Sequence, residues 1–403
     1  MKHQYDYLII GGGLAGASAI EGIRKLDKTG SIGLLCAEDM LPYNRPPLSK
    51  DLLWDKKVFD EIFVFDENYY RHQKVELRLK TTVKSIQAED RFVADAAGHY
   101  YGYSKLLIAT GGQPREFPKA DKAVHYFRKA EDYRSLTKAL PTVEDFLIIG
   151  AGFIGAELSA GLSHLGKKVT MLIKGKSLLE KIFSSDLSAF VTDYYRQKGV
   201  SFITEDEPAH FDSRENRVKV TTKGGKKLEA GWVIAGIGID PETELAKSAG
   251  LRTDNGVVVD RYLQTSRPEI FAAGDLARFP CQALGENVRL EHWDNASAQG
   301  KCAGVNMAGG LEPYVYLPYF YSDLFELGFE AVGKLDSKMK TLSAWEVPFR
   351  KGVVVYLADQ KVKGVLLWNQ PKILDWARKL ITEQATPDSV EDLKRLLPAL
   401  VAV

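Results

Sequence analysis

The residues best placed to do chemistry in this sequence are two sets of glycines. Residues 6–16 read DYLIIGGGLAG, and residues 145–155 read DFLIIGAGFIG. Each contains GxGxxG: Gly11, Gly13 and Gly16 in the first, Gly150, Gly152 and Gly155 in the second. In such a run the first glycine permits a tight turn and the second lets the backbone approach a pyrophosphate. The third lets a helix pack closely on the preceding strand. The free amides and positive dipole end of that helix then face the anion. The chemistry implied is the binding of two dinucleotides. One such run would equally mark a glycine turn in any α/β protein, whereas two in the same local context argue against that.

The flanking elements supply the context. Each run follows a short continuous apolar stretch, the pattern of a strand buried on both faces. Each is followed by apolar residues on one helical face: Ala15, Ala19, Ile23 and Leu26 in the first, Ile154, Leu158, Leu162 and Leu165 in the second. Both copies predict strand, glycine turn and helix. The second strands differ. SIGLLCAED at 31–39 places Glu38 near the strand end, where a carboxylate accepts hydrogen bonds from a ribose diol. VTMLIKGKS at 169–177 ends in Lys174 and Lys176 with no acid. A 2′-phosphate would be attracted there, which tilts the second copy toward NADPH and leaves NADH open. The same lysines also read as solvated surface charges.

Composition narrows the class. The chain has 403 residues, enough for two to three domains at roughly 150 residues each. Lys+Arg is 54 and Asp+Glu 53, a net charge of +1, which argues against a generally basic nucleic-acid footprint. Cys36, Cys281 and Cys302 are too scattered for a disulfide framework or a zinc site, and no CxxC occurs. No metal site is expected. No apolar run reaches about 18 residues, so no membrane span is expected. The polar start, running directly into a strand, leads us to expect no signal peptide and a cytoplasmic protein.

Further motifs carry a family resemblance: LPYNRPPLSK at 41–50, LLIATGGQPR at 106–115, Glu157 after the second glycine run, and IFAAGDLA at 270–277. Together with the two glycine runs they resemble the two-dinucleotide flavoprotein reductases. Within these, they are most similar to the apoptosis-inducing factor and bacterial class I ferredoxin (rubredoxin) reductase group. The resemblance implies an α/β fold with two Rossmann-like domains of the glutathione-reductase kind and a small α+β C-terminal domain. The expected boundaries are 1–118 and 249–311 for an FAD domain, 119–248 for an NAD(P) domain, and 312–403 for the third. The FAD domain must be divided, because Asp275 follows the second nucleotide unit.

The resemblance also implies roles. The first turn, with Leu14 and Ala15 beside its glycines, would hold the FAD pyrophosphate, and Glu38 (or Asp39) the adenosine ribose. Arg45 and Lys50 match flavin-contacting basic residues, and Asp275, after Gly274, matches the acid on the ribityl chain. Val83, Ala109, Thr110, Gly111 and Ala296 complete the FAD contacts. The second turn, with Phe153 and Ile154, would hold NAD(P)H together with Lys174 and Lys176. Gly236, Ile237 and Gly238, in AGIGIDPETELA at 235–246, would approach the nicotinamide. Lys50 and Glu157 are the expected catalytic pair. A lysine near reduced flavin stabilises developing negative charge, and a carboxylate keeps it from being a stray charge.

His292 and Trp293, in RLEHWDNA, fall where the family approaches the flavin ring. His292 reads equally as a packed helix-start histidine; Trp293 reads as a stacking wall. The region where relatives with redox-active thiols carry a cysteine here reads RPPLSK, so we expect no catalytic cysteine.

From about Leu311 the texture changes. LEPYVYLPYFYSD reads as a connector; EAVGKL, LSAWEV, GVVVYLA and VKGVLLWN read as strands, the last two as a hairpin over Ala358–Lys361; PKILDWARKLI reads as a final helix. Tyr321 stands where the family usually has tryptophan, and reads more simply as core packing. The resemblance implies an FAD-dependent NAD(P)H oxidoreductase that passes electrons to an external ferredoxin, rubredoxin or quinone. The alternative is a sensor or scaffold like apoptosis-inducing factor, with a long-lived charge-transfer complex and little turnover. Animal apoptosis-inducing factors carry a long insertion before the KGV strand, where here only VPFR intervenes. Monomer and homodimer are both left open.

Overall fold

The computed structural model describes residues 2–118, 120, 124–214 and 217–398. Residue 119, the expected first residue of the NAD(P) domain, lies outside the described residues. The chain forms two compact units. One comprises Met1–Asn44, Asp60–Gln113 and Asp240–Pro318; the other comprises Arg45–Phe59, Pro114–Ile239 and Tyr319–Val403.

In the first unit, the strand Lys2–Ile10 lies between Ile32–Leu35 and Tyr100–Ile108, parallel to both. Val75–Arg78 extends the sheet beyond Ile32–Leu35, and Ile270–Ala272 joins it beside Tyr100–Ile108, both again parallel. Leu8, Ile9 and Ile10 are buried, as a run apolar on both faces requires. The helix Leu14–Leu26 follows the glycine turn and packs on the helix Trp293–Met307. Small residues make that approach close: a Cβ on Gly304 would collide with the Ala19 carbonyl oxygen. The stretch after the second helix packs here too, with Tyr314 donating to Asn295 Oδ1 at 3.0 Å.

The second unit repeats the plan. Its parallel sheet runs Ser201–Ile203, Lys168–Leu172, Asp145–Ile149, Trp232–Ala235, Val124–Tyr126. The helix Phe153–His164 follows the second glycine turn. Beyond Pro318 comes a five-stranded antiparallel sheet in the order Tyr319–Leu324, Leu327–Gly333, Lys361–Trp368, Lys351–Ala358, Lys340–Val347. The hairpin over Ala358–Lys361 forms as expected. Ala358 pairs with Lys361, and both turn residues, Asp359 and Gln360, have positive φ, the geometry of a two-residue hairpin turn.

Two expectations need correction here. Residues 319–323, read as the end of a connector, belong to the strand Tyr319–Leu324, which pairs with Leu327–Gly333 and buries Ser322 and Leu324. The helix Leu374–Thr382 is also not the last: Val390–Leu396 follows, with Ser389 capping it through the Asp392 amide. No helix among the described residues is long and apolar enough to cross a membrane. Among the same residues no cluster of three or more His, Cys, Asp or Glu is placed to hold a metal ion.

Candidate active site

The first glycine turn is built for a ligand. Gly11 has φ +119°, and its N–H donates to the Leu35 carbonyl at 2.9 Å. A Cβ there would collide with the Ala109 carbonyl oxygen, so only glycine fits. Gly13 is different: a Cβ would meet no atom within 4 Å. It caps the helix Leu14–Leu26 without any side-chain partner, and the first intrahelical bond runs from Ala17 N–H to Gly13 O. The amides of Leu14, Ala15 and Gly16 therefore lack intrahelical acceptors, at a helix end where a Cβ on Gly13 would meet open space. This is a cradle that a pyrophosphate fits.

Other elements of the first unit converge on it. Gly274 has φ +85°, and a Cβ on it would lie 3.1 Å from Ala15 and 3.9 Å from Ala296. Its N–H donates to the buried Gln299 Oε1 at 2.8 Å, so the helix Trp293–Met307 fixes the turn that carries Asp275. Glu38 accepts the Tyr43 hydroxyl at 2.8 Å, whereas Asp39 is exposed and paired with Lys80 at 2.7 Å. Of the two acids left open by the sequence, Glu38 is the less exposed. Val83 opens a strand just after Lys80 and Thr81, whose amides donate to the Glu38 and Cys36 carbonyls. Thr110 and Gly111 bond to the Glu242 backbone.

His292 is the N-cap residue of Trp293–Met307. Loss of solvation pushes its pKa down to about 4, against the opposing pull of Asp275, so the imidazole is neutral at physiological pH. Trp293 is 38% exposed and donates its indole N–H to Asn44 at 2.6 Å.

The second turn matches the first. Gly150 has φ +121°, and a Cβ would collide with the Gly236 carbonyl oxygen, while Gly152 faces open space. The Gly236 N–H donates to Ile149 O, and Gly238 lies beside the Arg115 guanidinium. Thus the 236–238 run, Ile237 included, sits alongside the turn. Phe153 is enclosed on one side by Phe320 and Phe329.

One turn into the helix Phe153–His164 lies a buried polar cluster. Glu157 Oε1 is 2.7 Å from Lys50 Nζ and accepts the Ser322 hydroxyl at 2.6 Å. Its other oxygen accepts the Ser49 hydroxyl at 2.6 Å. All four residues are under 9% exposed. Lys50 arrives on a proline-braced turn, with Arg45 capping Pro46–Leu48, and its ammonium lies 4.4 Å from the centre of the Tyr321 ring. Burial raises the pKa of neighbouring Asp323, while Lys50 opposes the shift. A buried ion pair is costly unless its remaining lone pairs are satisfied, and the two serines do that. Ser49 and Ser322 were missed in the sequence, although both stand inside quoted motifs.

Lys174 is paired with Glu207 at 3.0 Å, and Glu180 accepts the Lys176 N–H at 2.8 Å. The segment 169–177 itself holds no acid, and the fold brings Glu180 and Glu207 to its lysines from later in the chain.

Residues 5–300 match the family profile described as pyridine nucleotide-disulphide oxidoreductase, and residues 303–348 match that of the apoptosis-inducing factor, mitochondrion-associated, C-terminal region. The chain belongs to the pyridine nucleotide-disulphide oxidoreductase family. It is 34% identical to the ferredoxin reductase subunit of 5,5′-dehydrodivanillate O-demethylase from a Sphingobium species, over 96% of this chain and 95% of that protein. It is 33% identical to mitochondrial apoptosis-inducing factor 1 of Dictyostelium discoideum, over 98% and 81%. The covalent putidaredoxin reductase–putidaredoxin complex contains a similar fold, with TM-score 0.89 and 31% identity over 94% of this chain and 93% of that one.

Family membership and these relatives make the chain an FAD-dependent NAD(P)H oxidoreductase with the two-dinucleotide fold and an added C-terminal domain. The family name includes disulphide chemistry, but the thiols here are not activated. Burial raises all three, Cys36 and Cys302 to about 12. Cys36 packs under Gly12, and Cys302 donates to the Glu312 carbonyl.

Proposed function

We propose that this chain is a cytoplasmic reductase that takes hydride from a nicotinamide nucleotide and delivers electrons singly to a small iron–sulfur protein of the ferredoxin or rubredoxin kind. The observation that carries this reading is the buried Lys50–Glu157 pair, set one turn beyond a ligand-ready glycine cradle and completed by Ser49 and Ser322. A flavin bound there would supply the hydride acceptor and the one-electron donor that this reaction needs.

This chain's residues do the rest. The amides after Gly13 hold a pyrophosphate, Glu38 a ribose diol, and Asp275 the ribityl hydroxyls. The amides after Gly152 would hold the second pyrophosphate, and the 236–238 run, beside that turn, would face the nicotinamide nucleotide. Lys50 supplies a fixed positive charge where negative charge develops, and Glu157 with its two serines fixes the ammonium's position. The domain division at 1–118 and 249–311, 119–248 and 312–403 is part of this proposal.

The acceptor is inferred from relatives named for it: a ferredoxin reductase subunit and a reductase seen joined to putidaredoxin. The hairpin between Lys340–Val347 and Lys351–Ala358 closes over residues 348–350, which favours the reductase over a sensor regulated through an insertion there. The test is turnover with NADH, a small [2Fe–2S] ferredoxin and cytochrome c as terminal reporter. Ferredoxin-dependent cytochrome reduction supports the reading. Flavin that bleaches but is reoxidised no faster with ferredoxin than without it would favour the sensor.

A further inference from the structure

The end of the strand Lys168–Leu172 carries an arrangement not used above. Ile173, just beyond the strand, is fully buried and offers no polar side chain to a ribose. The chain then folds back against the glycine run, with Leu179 N–H donating to the Ala151 carbonyl at 2.9 Å. The Glu180 carboxylate lies over Gly175, where any Cβ would collide with it. It accepts the Lys176 N–H at 2.8 Å and the Ser177 N–H at 3.4 Å. Successive backbone amides in a turn form an anion-binding concavity. Here the protein's own carboxylate fills it. Of the two lysines, Lys174 is already held by Glu207, which also pairs with Lys223 at 2.9 Å. In a Rossmann unit the end of the second strand, beside the glycine turn, is where the adenosine ribose lies.

We infer that Glu180 selects NADH over NADPH. Its carboxylate occupies the amide nest that a 2′-phosphate would take, and it places negative charge beside the ribose 2′ position. Lys174, the cation that would compensate, is turned toward Glu207 in an exposed pair at 3.0 Å. This reverses the tilt toward NADPH read from Lys174 and Lys176 in the sequence. It rests on the second glycine turn being the nicotinamide-nucleotide site.

The test uses the FAD-loaded protein and two chemistry-free probes, ADP-ribose and its 2′-phosphorylated form, with binding measured by calorimetry. Anaerobic titrations with NADH and NADPH run in parallel. The wild type is expected to bind the unphosphorylated ligands at least about tenfold more tightly, the size of one charge-assisted interaction. Glu180→Ala should narrow that ratio by about tenfold, chiefly by tightening the 2′-phosphorylated ligands. Glu180→Gln keeps an acceptor for the two amides, so the turn survives while the charge is lost, and its ratio should fall between the two. A wild-type preference for NADPH, or an unchanged ratio in both variants, overturns the inference while the nucleotide site stands. If wild type binds neither probe and neither nucleotide bleaches the flavin, the site assignment fails and takes the inference with it.

Discussion

The two glycine turns have nearly the same backbone but different surroundings. In both, the first glycine sits at φ near +120° against a carbonyl from a neighbouring strand end, and the second faces open space. The divergence begins two residues after the third glycine. In the first helix that position is Ser18, buried, with only a long contact to Ser297 at 3.4 Å. In the second it is Glu157, which gathers Lys50, Ser49 and Ser322. The first helix is otherwise occupied with packing on Trp293–Met307. The two turns thus share one backbone plan, and one side chain further along the helix, Ser18 or Glu157, separates a helix that only packs from one that gathers a buried ion pair.

The largest effects should come from filling the two cradles. Gly13→Trp and Gly152→Trp each place an indole into space where no protein atom lies within 4 Å of the Cβ, so both should fold. Gly13→Trp should be colourless; Gly152→Trp should be yellow but no longer bleached by NADH or NADPH. A yellow Gly13→Trp would break the assignment of the first turn. Absorbance and a nucleotide titration read both.

Next comes the helix position itself. Glu157→Gln leaves Lys50 buried beside a neutral group, and removing one partner of a buried pair costs about 3–5 kcal/mol. Ser18→Ala should cost about 1 kcal/mol or less, since it loses only a weak contact. Urea unfolding of the two variants measures the contrast; equal losses would mean that the Glu157 cluster is not the special feature of the second helix.

A smaller effect is expected from Ser322→Ala, which removes one of two hydroxyls on Glu157. Hydrogen bonds to charged groups are worth about 1.5–3 kcal/mol. The rate of flavin reduction should fall while nucleotide affinity holds, and Ser322→Thr should restore it. Loss of affinity without loss of rate would move Ser322 out of the reactive cluster.

The remaining effect concerns pH, and only the first unit. His292 has a folded-state pKa near 4, below the ordinary value of 6.5. Between those values the unfolded chain binds a proton that the folded chain does not. Stability from the neutral imidazole is therefore complete above about pH 6.5 and is lost as pH falls toward 4. His292→Asn should flatten the stability profile in that window. A profile as steep as wild type there would assign the loss to other groups.

What the sequence made legible was local. Strand, glycine turn and helix follow from contiguous residues, and so does the Asp359–Gln360 hairpin, because each is decided by near neighbours. The strand Tyr319–Leu324 was hidden by Pro318 and a run of aromatics, and its pairing partner, Leu327–Gly333, decides it. The two serines on Glu157, and Glu207 beside Lys174, were hidden for a different reason. Ser322 is 165 positions from Glu157, and no spacing rule joins residues so far apart. The resemblance gave Lys50 and Glu157 as a pair but said nothing of what completes the carboxylate's hydrogen bonds.

The most direct measurement is an anaerobic titration of the purified protein with NADH, followed by flavin absorbance, in wild type and in Gly152→Trp. The account predicts a yellow wild type that bleaches in proportion to added NADH, and an equally yellow Gly152→Trp that does not. A wild type that holds flavin but is bleached by neither NADH nor NADPH would contradict the division of labour between the two turns.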